Sequence, residues 1–214
     1  MEVNWEAQFI EFVTKEMQQD AAHDLQHVLR VAKTAKALAQ EEAAQMQVVL
    51  PAAYLHDCVS LPKNHPERSL SSRYAADKAL GFLREIGYPS TYFDGIHHAI
   101  LTHSFSADIP PQTLEAKIVQ DADRLDALGA IGVARCIQVS TALGTGLYSA
   151  DDPICRRRVP NDKQFAVDHF YTKLFKLKDK MHTRSAIKHA EQRVAFMKNF
   201  LAQLEREVKL ETED

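Results

Sequence analysis

The sequence predicts an all-α fold, because nearly every segment between turns repeats its apolar residues at steps of three and four. No segment alternates apolar and polar residues in the way that a half-buried β-strand requires. Seven glycines and eight prolines among 214 residues, together with 45% hydrophobic residues, exclude a low-complexity or mainly disordered chain. The length provides for one sizeable core, so we predict a single domain over residues 1–214.

The predicted helices follow one another in order along the chain. A first set of apolar residues at helical spacing begins at Trp5, and a second set begins at Val28 in a helix for which Asp20 is a candidate N-cap. The third segment, residues 48–59, is nearly uncharged and is therefore expected to be buried. Further helices are predicted over residues 69–86, 92–103 and 114–127, and the longest break covers residues 144–163.

A long C-terminal helix is predicted over residues 183–209. Its apolar residues repeat at alternating steps of three and four from Ile187 to Val208, which is a heptad-like seam. The seam covers only three heptads, the lower limit for a coiled coil. We therefore expect the helix to pack on its own domain, whose core covers residues 20–180, and a homodimer joined through the seam is the alternative.

Charge and cysteine content narrow the classes of partner and compartment. A net charge of −3 provides no basic surface, so neither specific nucleic-acid binding nor attraction to an anionic membrane is expected. Three cysteines without a CxxC pair are typical of a reducing compartment. The first residues lack the basic character of a signal peptide, and no apolar run is long enough to span a membrane. We therefore expect a cytoplasmic protein with small-molecule partners.

Two His-Asp dipeptides are the most informative pairs, because imidazole and carboxylate groups together bind divalent metal ions. His23-Asp24 stands at a predicted helix start, where capping is the simplest role for the aspartate. His56-Asp57 instead ends an apolar segment, and burying this charge unpaired would be costly, so a cation or an ion partner is required. A salt-bridged core pair is the alternative. His27 lies on the apolar face of its helix and, taken alone, is more typical of a hydrogen-bonded core histidine.

A third acidic element holds three aspartates within six residues, Asp121, Asp123 and Asp126. On a helix Asp123 and Asp126 share a face, whereas Asp121 lies about 200° from Asp123. At most two of the three can therefore face one site. Both faces have apolar neighbours, so periodicity does not choose among them.

The ordered set of His27, His56-Asp57 and Asp123 resembles the H…HD…D signature of the HD-domain metal-dependent phosphohydrolases. Further motifs within residues 21–31, 55–57, 103–105 and 117–125 resemble the small stand-alone bacterial members of YedJ type. The resemblance implies an all-α HD-domain helical bundle over residues 20–180. It also implies that His27, His56, Asp57 and Asp123 bind a divalent metal ion, which could be Mn, Fe, Ni, Mg or Zn, and that Asp57 is catalytic as well.

The resemblance to binuclear members allows histidines of the segment 92–103 to bind a second metal or to contact substrate. We expect a mononuclear site with His98 or His103 as a catalytic residue next to the ligands. The chain lacks the Gly-Tyr-Pro element of the cyclic-dinucleotide branch. Cys58-Val59-Ser60 also replaces the Glu-Asp pair of guanosine tetraphosphate hydrolases, which argues against those two substrates.

The loop and helix start after Asp57 are rich in groups that bind phosphate. The loop leads into the N-terminus of a helix, and helix N-termini attract anions. We expect Lys63, Asn64, His65 and Arg68 to bind substrate, with a solvated loop as the alternative. The basic run at residues 156–158 is more simply interpreted as solvated.

The sequence as a whole predicts a metal-dependent phosphohydrolase that cleaves a phosphoester or phosphoanhydride bond in a nucleotide. A non-catalytic module that binds metal and nucleotide is the first alternative. The second alternative rests on residues 23–27, which have the spacing of the metalloprotease motif HExxH with aspartate in place of glutamate.

Overall fold

The computed structural model describes residues 3–16, 24–61, 65–104 and 107–209. Over these residues the protein consists of nine α-helices and three 3₁₀ helices, and its one β-type contact is an isolated bridge between Gly146 and Phe165. The prediction of an all-α fold is confirmed. The α-helices are α1 (Trp5–Glu16), α2 (Leu25–Glu41), α3 (Met46–Leu55), α4 (Ser71–Glu85), α5 (Phe93–His103), α6 (Leu114–Asp126), α7 (Gly129–Ala142), α8 (Ala166–Thr172) and α9 (Arg184–Lys209).

The start of α2 is fixed by Asp24. Its Oδ1 accepts a hydrogen bond of 2.7 Å from the backbone N–H of His27, and its backbone is extended, as expected of an N-cap residue. The capping role predicted for Asp24 is confirmed, whereas Asp20 and His23 lie outside the described residues. The first turn of α2 carries His27 and Val28, and both side chains are buried.

Helix α3 is buried along most of its length, as its lack of charge predicts. Pro51 lies inside it and lacks the N–H that would bond to the carbonyl of Gln47. The hydroxyl of Tyr88 donates a hydrogen bond of 2.8 Å to that carbonyl instead. The helix ends at Leu55 rather than at the predicted Val59. The two residues directly after this end are His56 and Asp57.

Contacts divide the chain into two compact units. The first unit comprises Met1–Asp123 with His182–Ala186, and the second comprises Arg124–Met181 with Ile187–Asp214. In the first unit α3 packs against α1, α2 and α5, and α4 packs against α5. The whole predicted metal-ligand set belongs to this first unit. That residues 1–214 form a single domain stays a prediction.

Two aspartates organise the segment between α7 and α8 in the second unit. Asp152 accepts hydrogen bonds of 2.7 to 3.0 Å from the three backbone N–H groups of residues 156–158. Asp168 is fully buried, pairs with the guanidinium of Arg158 at 2.5 Å and accepts a hydrogen bond from the N–H of Asn161. Arg156 and Arg157 are exposed, as expected of a solvated stretch, whereas Arg158 anchors the loop through its pair with Asp168. The sequence does not predict α8, whose seven residues are too few for periodicity.

The C-terminal helix α9 agrees closely with the predicted range 183–209. Among its seam residues Ile187 is 40% exposed, but Ala190, Val194, Met197 and Leu201 are buried. A second copy is thus not needed to cover these side chains, which favours the intramolecular alternative. Among the helices described, none combines the length and the apolar character of a membrane-spanning segment.

Candidate metal centre

Four helices of the first unit contribute to one cluster of histidines and aspartates. His27 lies in the first turn of α2, and His56 and Asp57 directly follow α3. His103 is the last residue of α5, and Asp123 lies in the last turn of α6. Each side chain is thus at or near a helix end, where the helices converge.

Ligand atoms of His27, His56 and Asp57 lie within 4.8 Å of one another, a grouping that could hold a metal ion. Nε2 of His27 is 3.8 Å and Nε2 of His56 is 3.5 Å from Oδ2 of Asp57. Nε2 of His27 is also 3.4 Å from Oδ1 of Asp123. The structure therefore groups three of the four residues that the HD resemblance implies as ligands, and the fourth, Asp123, contacts His27.

The tautomer of His56 follows from its hydrogen bonds. Its Nδ1 lies 2.8 Å from the carbonyl oxygen of Ala53, and because a carbonyl only accepts, Nδ1 must carry the proton. Burial lowers the pKa of His56 against the opposing charge of Asp57, so the ring stays neutral. Its Nε2 therefore presents a lone pair to the carboxylate of Asp57.

This arrangement fits a divalent metal ion. Nε2 of His56 is buried and has no hydrogen-bond partner among the described residues. A lone pair facing a carboxylate oxygen at 3.5 Å is unfavourable unless a cation lies nearby. Imidazole nitrogens together with carboxylate oxygens suit borderline ions such as Mn²⁺, Fe²⁺ or Zn²⁺.

Asp123 is ionised in this surrounding. Burial disfavours its charge, but the hydrogen bond and charge of His27, with further contributions from His56 and His103, lower its pKa to about 2. A metal ion binds deprotonated carboxylates, so the group is in the state that coordination requires.

The other two aspartates of the triplet have different partners. Asp121 is buried and accepts hydrogen bonds from the backbone N–H groups of His182 and Thr183 at 2.8 to 3.1 Å. Asp126 pairs with the guanidinium of Arg135 at 2.6 Å. Of the three, Asp123 is the one that contacts His27. The three aspartates thus differ in their surroundings, a difference that periodicity leaves open.

The predicted catalytic histidines differ in their contacts. Nε2 of His103 lies 3.4 Å from Oδ1 of Asp57, and its Nδ1 is 2.6 Å from the carbonyl of Ile100. Burial opposes protonation of His103, but the hydrogen bond and charge of Asp57 raise its pKa. Nε2 of His98 instead accepts a hydrogen bond of 3.0 Å from the backbone N–H of Gln112. His103 therefore belongs to the cluster, whereas His98 holds the loop before α6.

The predicted substrate loop is described only in part, because Lys63 and Asn64 lie outside the described residues. His65 accepts a hydrogen bond of 3.1 Å from the backbone N–H of Glu67 through Nδ1. The guanidinium of Arg68 donates to the carbonyl of Leu61. Both residues thus shape the loop in this structure.

Comparisons with known proteins identify the family. The HD domain family matches residues 24–128. The uncharacterized protein YpgQ of Bacillus subtilis is 36% identical over 194 residues, which cover 89% of this chain and 86% of that protein. The chain belongs to the HD domain family, as its histidine and aspartate motifs indicate.

Solved structures agree with this assignment. A crystal structure of Bacillus subtilis YpgQ in complex with ADP is similar with a TM-score of 0.72, at 32% identity and with 94% of each chain covered. A HD-superfamily hydrolase from Bacillus thuringiensis reaches a TM-score of 0.76, at 32% identity over 96% of this chain and 97% of that chain. The chain is thus a member of the HD hydrolase superfamily. That it belongs with the small stand-alone members of YedJ type stays a prediction.

Proposed function

We propose that this protein is a metal-dependent phosphohydrolase that cleaves a phosphoester or phosphoanhydride bond in a nucleotide. The observation that carries the proposal is the buried lone pair of His56 Nε2, which faces Asp57 without a hydrogen-bond partner among the described residues. Membership of the HD hydrolases supports the reaction class. The ADP bound in the YpgQ structure supports a nucleotide as substrate.

The proposed metal ligands are His27, His56, Asp57 and Asp123. A divalent ion bound there would lower the pKa of a water molecule and offset negative charge on the phosphoryl group. Four protein ligands from three helices would leave coordination positions open for water and a phosphate oxygen. Mn, Fe, Ni, Mg and Zn all suit such a nitrogen and oxygen site, whose occupancy follows the availability of the ion as well as geometry.

His103 is proposed as the catalytic residue next to the ligands. Its Nδ1 proton is held on the carbonyl of Ile100, and its raised pKa favours a second proton on Nε2, directed at Asp57. His103 thus orients Asp57 and holds a proton beside the reacting groups. His98 is proposed to support catalysis indirectly, because its Nε2 holds the loop at Gln112 in place.

The proposed phosphate-binding residues are Lys63, Asn64, His65 and Arg68. Arg68 supports this role within the described residues, because a guanidinium has five N–H donors and its bond to Leu61 holds it at the loop. The three cysteines, all free thiols, agree with the proposed cytoplasmic location.

The reaction is tested with protein freed of metal by a chelator and then loaded with Mn²⁺. Nucleoside mono-, di- and triphosphates and cyclic nucleotides are supplied, and the release of phosphate and of pyrophosphate is measured separately. We expect turnover of at least one nucleotide that disappears with the chelator. Nucleotide binding without any turnover would instead establish the non-catalytic module.

Removal of ligands provides the matched variants. We expect His56→Ala and Asp57→Ala to lose both bound Mn²⁺ and turnover, because each removes an atom of the buried cluster. His97→Ala is the control, since His97 pairs with Asp77 at 3.0 Å outside the cluster. Metal content is measured by atomic absorption. Full retention of Mn²⁺ by both ligand variants would contradict the proposed centre.

A further inference from the structure

Gln120 joins two of the helices that carry the metal centre. Its side chain is buried on α6, and Nε2 donates a hydrogen bond of 2.7 Å to the carbonyl of Thr102 on α5. Its Oε1 lies 2.6 Å from Nε2 of His182. The carbonyl of Thr102 only accepts, so the amide nitrogen must face it and the amide oxygen must face His182.

The link falls directly beside the site on both helices. Thr102 precedes His103, the last residue of α5, and carbonyls in the last turn of a helix have no partner within that helix. Gln120 therefore satisfies one carbonyl that the helix itself leaves open. On α6 it stands three residues before Asp123, so the two side chains share a face.

We propose that Gln120 is a positioning residue that fixes the end of α5, and with it the ring of His103, against Asp57. This inference rests on the proposed metal centre and reaction. His103 is held on the carbonyl of Ile100 in the same last turn, so its ring moves with that turn. Loss of the Gln120 amide leaves a buried carbonyl unpaired and frees the turn to shift.

The segment around His182 is held independently of Gln120. Asp121 accepts hydrogen bonds from the backbone N–H groups of His182 and Thr183, and Glu42 accepts one of 2.8 Å from the N–H of Ser185. Removing the Gln120 side chain therefore leaves this segment in place. The expected effect is confined to α5 and the site.

The test compares Gln120→Met and Gln120→Glu with His182→Ala. Methionine keeps the volume and removes both bonds, whereas an ionised glutamate keeps the acceptor for His182 and lacks the donor to Thr102. Alanine at position 182 removes the bond to Gln120 Oε1, while Asp121 still binds the backbone of that residue. The Kd for Mn²⁺ is measured by calorimetry well below the melting temperature, and kcat and KM are measured with a nucleotide.

We expect both Gln120 variants to bind Mn²⁺ about 10-fold more weakly, the lower end for loss of a group beyond the ligands, because Gln120 acts on Asp57 through His103. Their kcat should fall on the same scale with KM nearly unchanged, since substrate contacts remain. His182→Ala should behave as the wild type. A purely structural role would lower the melting temperature but leave the Kd of the folded protein unchanged. If one Gln120 variant does not fold, the other decides.

Wild-type affinity for Mn²⁺ and wild-type kcat in both Gln120 variants would overturn the role of Gln120. An equal loss in His182→Ala would also overturn it, because the effect would then lie in the segment around residue 182. If the wild type binds Mn²⁺ but does not turn over nucleotides, the proposed reaction fails while the Kd values still decide the role of Gln120. If the wild type does not bind Mn²⁺, the centre and the inference fail together.

Discussion

Three aspartates within six residues have three different partners, and their roles differ accordingly. Asp123 faces His27, Asp121 binds the backbone before α9, and Asp126 pairs with Arg135. All three are carboxylates on one helix, yet only the environment of Asp123 combines ionisation with a neighbouring set of imidazoles. The chemical role of each residue is thus set by what faces it.

The roles of Asp121 and Asp123 predict opposite effects of the same substitution. Asp123→Asn should lose bound metal, because it removes the charge of a proposed ligand. Asp121→Asn should cost about 1 to 3 kcal/mol of stability, because it disturbs buried hydrogen bonds to a charged group, while the metal is retained. Urea unfolding and metal content measured on both variants check this. Loss of metal from the Asp121 variant together with retention of metal by the Asp123 variant would identify Asp121 as the ligand.

The choice among these aspartates was beyond local sequence reasoning for a physical reason. Helical periodicity reports which residues share a face but not what packs against that face. The partners of Asp121 are His182 and Thr183, about sixty positions along the chain. The resemblance to the HD signature selects Asp123 because it supplies this missing long-range information. Periodicity does not identify the role of Gln120 for the same reason, since its two contacts, Thr102 and His182, lie 18 and 62 positions away.

At the scale of elements, short polar bonds hold helix ends in the first unit, including one of a helix that carries the site. Asp24 caps α2, and the hydroxyl of Ser71 at the start of α4 accepts from the N–H of Leu61 and donates to the carbonyl of Val59. The sequence places the end of α3 too late, because apolar residues resume after His56 and Asp57 at Cys58, which is buried as well. Apolar periodicity thus identifies helices better than it identifies their ends.

Loss of the Asp24 cap should weaken the start of α2. Asp24→Ala removes the acceptor for the N–H of His27 and should lower the free energy of unfolding by about 0.5 to 2 kcal/mol. Mn²⁺ affinity should also fall, because the cap bond ends on the residue that carries a proposed ligand. Gln26→Ala, at an exposed position in the same turn, is the control. Equal stability of the two variants in urea unfolding would rule out capping as a contribution to the fold.

At the scale of the whole molecule, the two units depend on different polar interactions. The first unit contains the proposed metal centre, whose carboxylates and imidazoles are proposed to bind a divalent cation. The second unit contains the buried pair of Asp168 and Arg158, which is satisfied by the chain itself and supported by hydrogen bonds from Asn161 and from the thiol of Cys155. Added metal should therefore stabilise the first unit directly, whereas acid should act on the second through Asp168.

The last prediction concerns this dependence on pH. Burial alone would raise the pKa of Asp168, but Arg158 and the N–H of Asn161 lower it below the ordinary value of 3.8. A group whose pKa is lower in the folded state stabilises that state above its unfolded pKa, and this stabilisation is lost as the pH falls through the folded pKa. The wild type should therefore lose stability below about pH 4. Asp168→Asn should lose part of that dependence.

Asp168→Asn should also be less stable at neutral pH by about 3 kcal/mol, the lower end for breaking a buried ion pair, because the side chain of Arg158 is 23% exposed. Urea unfolding between pH 3 and pH 7, followed for the wild type and the variant, measures both effects. Asp179→Asn provides the control, since Asp179 is an exposed aspartate whose ion pair with Lys178 lies at the surface and should contribute little. An Asp168 variant with the wild-type dependence on acid would show that other carboxylates govern acid unfolding, and that the buried pair does not hold the second unit together.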